Sequence, residues 1–403
     1  VGVIPEDWEV STVGDEFSVQ LGKMLDAERN VGIEKPYLGN RAVQWDSIDV
    51  SDLPTVPMSQ SDVSRFRLKQ GDVLVCEGGE VGRAAIWNSP IEECYYQKAL
   101  HRLRPLREFD PRLMVAILRQ LSSSGVMANY VTQTSIAHLP REKFLGVPIP
   151  RPPLPEQRAI ASALSDVDAL LEGLTRLIAK KRDLKHAAMQ QLLTGQIRLP
   201  GFHGEWEVKR LGEVSQVKTG PFGSSLHESD YVDEGTPIIT VEHLGEFGVE
   251  HRNLPLVSED DRRRLSAYAL FIGDIVFSRV GSVDRNALIR PSEAGWLFSG
   301  RLLRVRPAAR IVNSSFLSFQ FHSEAFVAQV KQVAVGQTMA SLNTRILNGL
   351  PVTLPSLAEQ QAIAGALSDM DSEITALEAR REKTVALKQA MMQELLTGRT
   401  RLV

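Results

Sequence analysis

Two loops in this chain carry residues suited to gripping a polyanion. "GGEVGR" (Gly78–Arg83) and "RVGSVDR" (Arg279–Arg285) each follow a Gly-Asp-apolar run, "QGDVLV" (Gln70–Val75) and "IGDIVF" (Ile272–Phe277). Glycine lets a backbone approach a phosphate or a groove closely, and a neighbouring arginine can reach a phosphate or a guanine edge. Gly79, Arg83, Arg279 and Arg285 are therefore candidate DNA contacts. "GKMLDAERN" and "KTGPFGSS" occupy matching early loops and add Lys23, Lys218, Thr219, Phe222 and Ser224, with Asn40 and Arg41 further along the first half. "VTQTSIAHL" and "VGQTMASLN" place polar donors late in each half: Gln133, Thr134 and His138, then Gln337, Thr338 and Asn343. The plainer reading of any one loop is a turn with solvated charges. Recurrence at equivalent places in both halves is what favours binding.

The same search finds no catalytic constellation. There is no phosphate-cradling Walker loop and no His-Glu-x-x-His pair. The "RPPLP" run lacks the polar and aromatic members of an adenine methyltransferase motif. His101, His138, His227, His243 and His251 are scattered. Asp166 and Asp168 read as first-turn charges that favour a helix dipole. No metal site is expected, since Cys76 and Cys94 are the only cysteines; they read as plain half-buried residues in a reducing compartment.

The elements that must position these loops come from a duplication. Leu154–Leu199 and Leu357–Leu402 align without a gap at an offset of 203 residues, and 24 of the 46 positions are identical. The echo extends upstream. "DWEVSTVGD" matches "EWEVKRLGE", "LRP" at Leu103–Pro105 matches "VRP" at Val305–Pro307, and "TSIAHL" matches "QTMASL". The chain is two copies of one unit of about 200 residues, each a variable globular part followed by a near-constant helical part. Ile160, Leu164, Val167, Leu171, Leu174 and Ile178 alternate steps of four and three; Ile363, Leu367, Met370, Ile374 and Leu377 do the same. This is the apolar seam of a coiled coil, and two such seams in one chain suggest that the helices pair with each other. Proline-rich leads start the helices, and Gly195 and Gly398 stop them. The variable parts read as α/β mixtures. Strands are expected at "GDVLVCE", "GRAAIWN", "TPIITVE", "GDIVFSR" and "RLLRVRP", and helices at Pro111–Leu121 and Ser314–Val330.

At 403 residues the chain is too long for one core, and no run reaches transmembrane length. A cytoplasmic protein is expected. The formal charge of −3 means that any grip on DNA must be local, or shared with partners.

These motifs together resemble the specificity subunit of type I restriction–modification systems. The resemblance rests on "WEVKRLGEV", "GDIVFSRVG" and a "LPxLAEQQAIAxxL"-type helix ending in "LLTG", in the order recognition domain, helix, recognition domain, helix. It implies an α+β chain with a first target recognition domain over residues 1–152 and a central conserved helix over 153–199. A second recognition domain would span 200–355 and a C-terminal conserved helix 356–403. The two helices would form an antiparallel coiled coil, with a pseudo-twofold and a nearly circular arrangement that brings Val403 and Val1 to a place equivalent to Leu199–His203. Each recognition domain would read one half of a bipartite, asymmetric site on double-stranded DNA, and the helices would set the spacer. The chain would be non-catalytic and hold no cofactor. Two methyltransferase subunits would carry S-adenosylmethionine, and translocase/nuclease subunits would use ATP and Mg. Two other readings stand beside this one: a protein–protein scaffold, and a specificity subunit of another methylation-based phage-defence system.

Overall fold

The computed structural model describes residues 4–26, 30–133, 137–221, 226–245, 248–334 and 341–402. It divides into two compact units that do not follow sequence order. Unit 1 is Val1–Arg176 with Glu378–Val403, and unit 2 is Leu177–Leu377.

Unit 1 is built on an antiparallel sheet in the order Phe17–Leu21, Leu100–Pro105, Val73–Cys76, Ala84–Ile86. Unit 2 repeats it with Ser215–Thr219, Leu302–Pro307, Ile275–Ser278 and Asn286–Leu288. All five segments expected to be extended contain a strand. Each run buries apolar residues on both faces, as a strand covered on both sides must. The expected helix at Pro111–Leu121 runs Pro111–Ser123. Its counterpart is broken into Ser314–Phe321 and Glu324–Val333, because Ser323 turns its hydroxyl to cap a new helix, accepting from the Phe326 N–H at 3.3 Å.

The echoed "GD" and "RP" motifs prove to be two ends of one brace. Arg104 donates through Nε and Nη2 to the two oxygens of Asp72, both at 2.7 Å. Arg306 does the same to Asp274, both at 2.6 Å. A planar fork on a buried carboxylate fixes neighbouring strands in register.

The long helices are Leu154–Leu192 and Leu357–Leu395, 39 residues each and so about 58 Å long. Gly195 and Gly398 follow them in the left-handed region, with φ of 72° and 69°. The "EQ" at each start is buried and ties the helix to its own globular part. Gln157 accepts from the Asp110 N–H at 3.0 Å and donates to the Pro152 carbonyl at 2.9 Å. Gln360 accepts from the Asn313 N–H at 2.9 Å and donates to the Pro355 carbonyl at 2.9 Å. Asp110 and Asn313 are the N-caps of Pro111–Ser123 and Ser314–Phe321, so one glutamine couples two helix starts.

Unit 1 is discontinuous because the end of the second long helix completes its core. Met392, Leu395 and Leu396 pack with Trp8, Phe17, Phe144, Ile160 and Leu164. In unit 2, Met189, Leu192 and Leu193 pack with Leu211, Phe277, Phe316, Ile363 and Leu367. Of the expected seam, Ile160, Leu164, Leu174, Ile178, Ile363, Leu367 and Ile374 are buried, and Val167, Leu171, Met370 and Leu377 are half-buried. The segments run antiparallel within each unit. In unit 1, Asp168 meets Lys388 and Glu156 meets Arg401; in unit 2, Asp371 meets Lys185 and Glu359 meets Arg198. At the offset of 203 residues these are the same two pairs with the copies exchanged. Asp166 and Asp168 lie more than three turns into their helix, so neither is the first-turn charge expected from the sequence. Glu156 is the acid of the first turn.

Val1 and Val403 lie outside the described residues, but their neighbours form a latch within unit 1. Arg401 donates to Glu156 at 2.6 and 2.7 Å, to Asp7 at 2.9 and 2.7 Å, and stacks 5.7 Å from the Trp8 ring. Trp8 donates its indole N–H to the same Glu156 at 2.9 Å. Burial works to raise the Glu156 carboxyl, but the bonds from Arg401 and Trp8 and the charge of Arg401 outweigh it and hold the group below its ordinary value of 4.5. A carboxyl lowered on folding stabilises at pH above its unfolded value, and that stability is lost as pH falls through the lower, folded value. Arg401→Gln removes the opposing cation and leaves the burial. The acid-unfolding midpoint, followed by tryptophan fluorescence, is therefore expected to move to higher pH, while Arg176→Gln in the exposed pair with Glu172 leaves it in place. An unmoved midpoint for Arg401→Gln rules the latch out as a source of acid stability.

Among the described residues, no helix is long and apolar enough to cross a membrane.

Candidate nucleic-acid interface

In unit 1 the loop after Val73–Cys76 is held by its own polar groups. Gly79 turns at φ 74°, and a Cβ there would meet Asn40 Nδ2 at 3.2 Å. Asn40 donates to the Gly78 carbonyl at 2.8 Å, and Arg83 donates to the Asn40 carbonyl at 3.0 Å and to Glu80 at 3.3 Å. Arg285 plays the part of Arg83 in unit 2, donating to the Leu244 carbonyl. Both arginines shape a loop, with their guanidinium groups directed at main chain.

The other predicted residues divide in the same way. Lys23 is paired with Asp62 at 2.9 Å. Burial raises that carboxyl, but hydrogen bonds from Lys23 and Ser59 bring it below its usual range. Arg41 and His138 are exposed, His138 on the short strand Ala137–His138 that pairs with Thr132–Gln133. In unit 2, Thr219 pairs with Leu303, and Lys218 sits across the ladder from Arg304. Lys218 donates to the Ala267 carbonyl at 2.8 Å and lies 4.4 Å from the Tyr268 ring centroid. Burial, with the charges of Arg304 and Arg306, pulls its ammonium below its ordinary value. Arg279 donates weakly to the Leu342 and Gly300 carbonyls, at 3.3 and 3.4 Å. Asn343 is an N-cap, accepting from the Ile346 N–H at 2.9 Å. Thr134, Phe222, Ser224, Gln337 and Thr338 lie outside the described residues.

The structure brings together residues that sequence reasoning missed. In unit 2, Arg279 and Arg285 share a groove of about 980 Å³ with Thr240, Asn253, Ser299 and Arg301. In unit 1, a cavity of about 470 Å³ lies beside Trp45, Gly79, Glu80 and Arg119. Trp45 donates to Glu80 at 2.6 Å and stacks 5.0 Å from the Arg119 guanidinium, which is paired with Asp46 at 2.7 Å. Pairing each residue with its counterpart at an offset of about 202 would have singled out Arg301, because Ala99 stands at the equivalent place. The cysteines are both buried, deeper than expected, and burial pushes the Cys94 thiol up to about 12, so it stays protonated and inert. Among the described residues no cluster of His, Cys, Asp or Glu could hold a metal ion.

Comparison with known proteins agrees with this duplicated plan. The family model for the type I restriction modification DNA specificity domain matches twice, over residues 5–180 and 203–387. The chain is similar to the putative type I restriction enzyme MjaX specificity subunit of Methanocaldococcus jannaschii, at 26% identity over 423 residues, covering 100% of this chain and 95% of the relative. It is similar to the EcoKI specificity subunit of Escherichia coli K12 at 19% identity, covering 98% and 89%. Its fold is like that of the type I restriction–modification S subunit from M. genitalium, with a TM-score of 0.62 at 16% identity, covering 98% and 97%. It is also like the HsdS subunit from Thermoanaerobacter tengcongensis, with a TM-score of 0.51 at 19% identity, covering 98% of each chain. With the domain matched twice over most of its length, the chain belongs to the type I restriction modification DNA specificity domain family and is a specificity subunit of a type I restriction–modification system.

Proposed function

We propose that the two units read the two halves of a bipartite, asymmetric DNA site. One observation carries this reading: the units share a sheet, a brace and a helix clamp, yet equivalent positions in them differ in charge. Glu77 and Ala99 in unit 1 stand where unit 2 has Arg279 and Arg301. A shared skeleton with unlike faces suits two readers of unlike sequences. The helices serve as the ruler for the unspecified spacer and as the dock for two methyltransferase subunits. Those subunits bind S-adenosylmethionine and take the flipped adenine. Translocase/nuclease subunits, using ATP and Mg, join for cleavage. This chain selects and positions DNA and leaves the chemistry to its partners, whose own basic residues add to the phosphate grip.

Methylome sequencing of a host with and without this chain tests the reading. A bipartite adenine-methylated motif that appears only with the chain is the expected result. Methylation that is indifferent to the chain would sink it.

A further inference from the structure

The loop that follows Ile275–Ser278 in unit 2 has its counterpart after Val73–Cys76 in unit 1. Glu77 and Arg279 hold the same backbone position. Their N–H groups donate to the Ala99 and Arg301 carbonyls, both at 2.9 Å, and their carbonyls accept from the Leu139 and Leu342 N–H groups, both at 2.8 Å. The partner residue is therefore alanine in one unit and arginine in the other.

The three arginines of the unit 2 groove differ in what occupies them. Arg279 and Arg285 are directed at main-chain carbonyls. Arg301 is exposed and, among the described residues, its guanidinium has no hydrogen bond or ion pair. Beside it in the groove lining, Ser299 is only 9% exposed, and among the described residues its buried Oγ has no hydrogen-bond partner. A groove that presents an uncommitted planar five-donor fork matches a base edge. The best match is the O6/N7 acceptor pair of guanine, which accepts from both arms of an arginine.

We propose that Arg301 is the guanine-selecting residue of unit 2. The half-site read by this unit then contains a guanine whose requirement depends on Arg301, while unit 1, with Ala99 at the equivalent place, makes no such selection there. This rests on the reading of two half-sites proposed above.

The test is the methylome of hosts carrying the assembled complex with wild-type chain or Arg301→Ala. Arg301 is exposed, and among the described residues its guanidinium makes no hydrogen bond or ion pair, so the variant should keep the wild-type melting temperature. The expected result is that one guanine of the second half-site becomes tolerant of other bases, its discrimination falling roughly 5- to 150-fold, with the first half-site unchanged. A second half-site as strict as before overturns the assignment. So does a uniform loss of methylation without relaxed choice, which marks a phosphate contact. Failure of the underlying reading looks different: the wild-type motif itself would not depend on this chain.

Discussion

Asp274→Ala is expected to destabilise unit 2 by about 3 kcal/mol, the low end for breaking a buried ion pair. Asp274 is 1% exposed and accepts three hydrogen bonds, two from Arg306 at 2.6 Å and one from the Phe271 N–H at 2.8 Å. Alanine leaves the Phe271 N–H without its acceptor and Arg306 without its carboxylate. Arg306 also stacks 4.1 Å from the Phe271 ring, so the turn before strand Ile275–Ser278 loses both its cap and its cover. Arg306 keeps 29% of its side chain in solvent and can partly rehydrate, which places the cost at the low end of the range. The same substitution at Asp72 tests the counterpart, where Lys69 supplies the capped N–H at 2.8 Å. Denaturant titration of the two variants should show losses of similar size. In the assembled complex, each variant should weaken methylation through its own half of the site. Losses within about 0.5 kcal/mol, typical of an ordinary surface substitution, would show that the brace is not what recurs in "GD" and "RP".

The duplication was legible because identity between the copies is a property of the sequence itself. So were the strands, whose apolar runs and glycine breaks are local signals. What the echoed motifs do was not legible, because their partners are distant. Asp72 finds Arg104, Gln157 finds the Asp110 N–H, and Asp168 finds Lys388, 220 residues away. The sequence shows only the helix that carries Asp168, so a helix-dipole role is the reading it offers there. The arginines of the loops show the same limit. Arg83, Arg285 and Arg301 are alike as letters, but two are turned to main-chain carbonyls and one is not. Sequence can place a cation near a groove; only packing shows whether it is already committed. The seam is another case. The four-three pattern of apolar residues ends at Ile178 and Leu377, yet Lys185 and Lys388, 4% and 8% exposed, continue the buried stripe.

The near-neutral charge also becomes understandable. Much of the basic content is spent internally: Arg104 on Asp72, Arg306 on Asp274, Arg198 on Glu359, Arg401 on Glu156 and Asp7. The overall balance of −3 therefore says little about either unit's own surface.

The buried lysines carry the second large expected effect. Asp168→Lys is expected to destabilise unit 1 by at least about 3 kcal/mol, because it removes the carboxylate from a buried ammonium and puts a like charge in its place. Among the described residues Lys388 has one other acid within reach, Asp46 at 3.7 Å, which is already paired with Arg119 and cannot replace the loss. Adding Lys388→Asp restores an opposite pair in the same place. The double variant should recover about 1–3 kcal/mol, the coupling expected of residues in direct contact. Recovery should stay incomplete, because the new Asp at 388 faces Asp46. A double-mutant cycle by thermal and denaturant unfolding measures this directly. Exchanging the exposed Glu172 and Arg176 in the same way should stay within about 0.5 kcal/mol. Additive losses would mean that the pair contributes no coupling and the lysine is tolerated only through its stem. A strong cycle assigns it a different role from the leucines around it. Apolar packing alone lets two seams slide by a heptad with little penalty. A slide here would strand Lys388 among Leu164, Met392 and their neighbours, away from its acid, and do the same to Lys185 and Asp371 in unit 2. The pair thus pins the register of the helices, and with it the position of each groove on its own clamp.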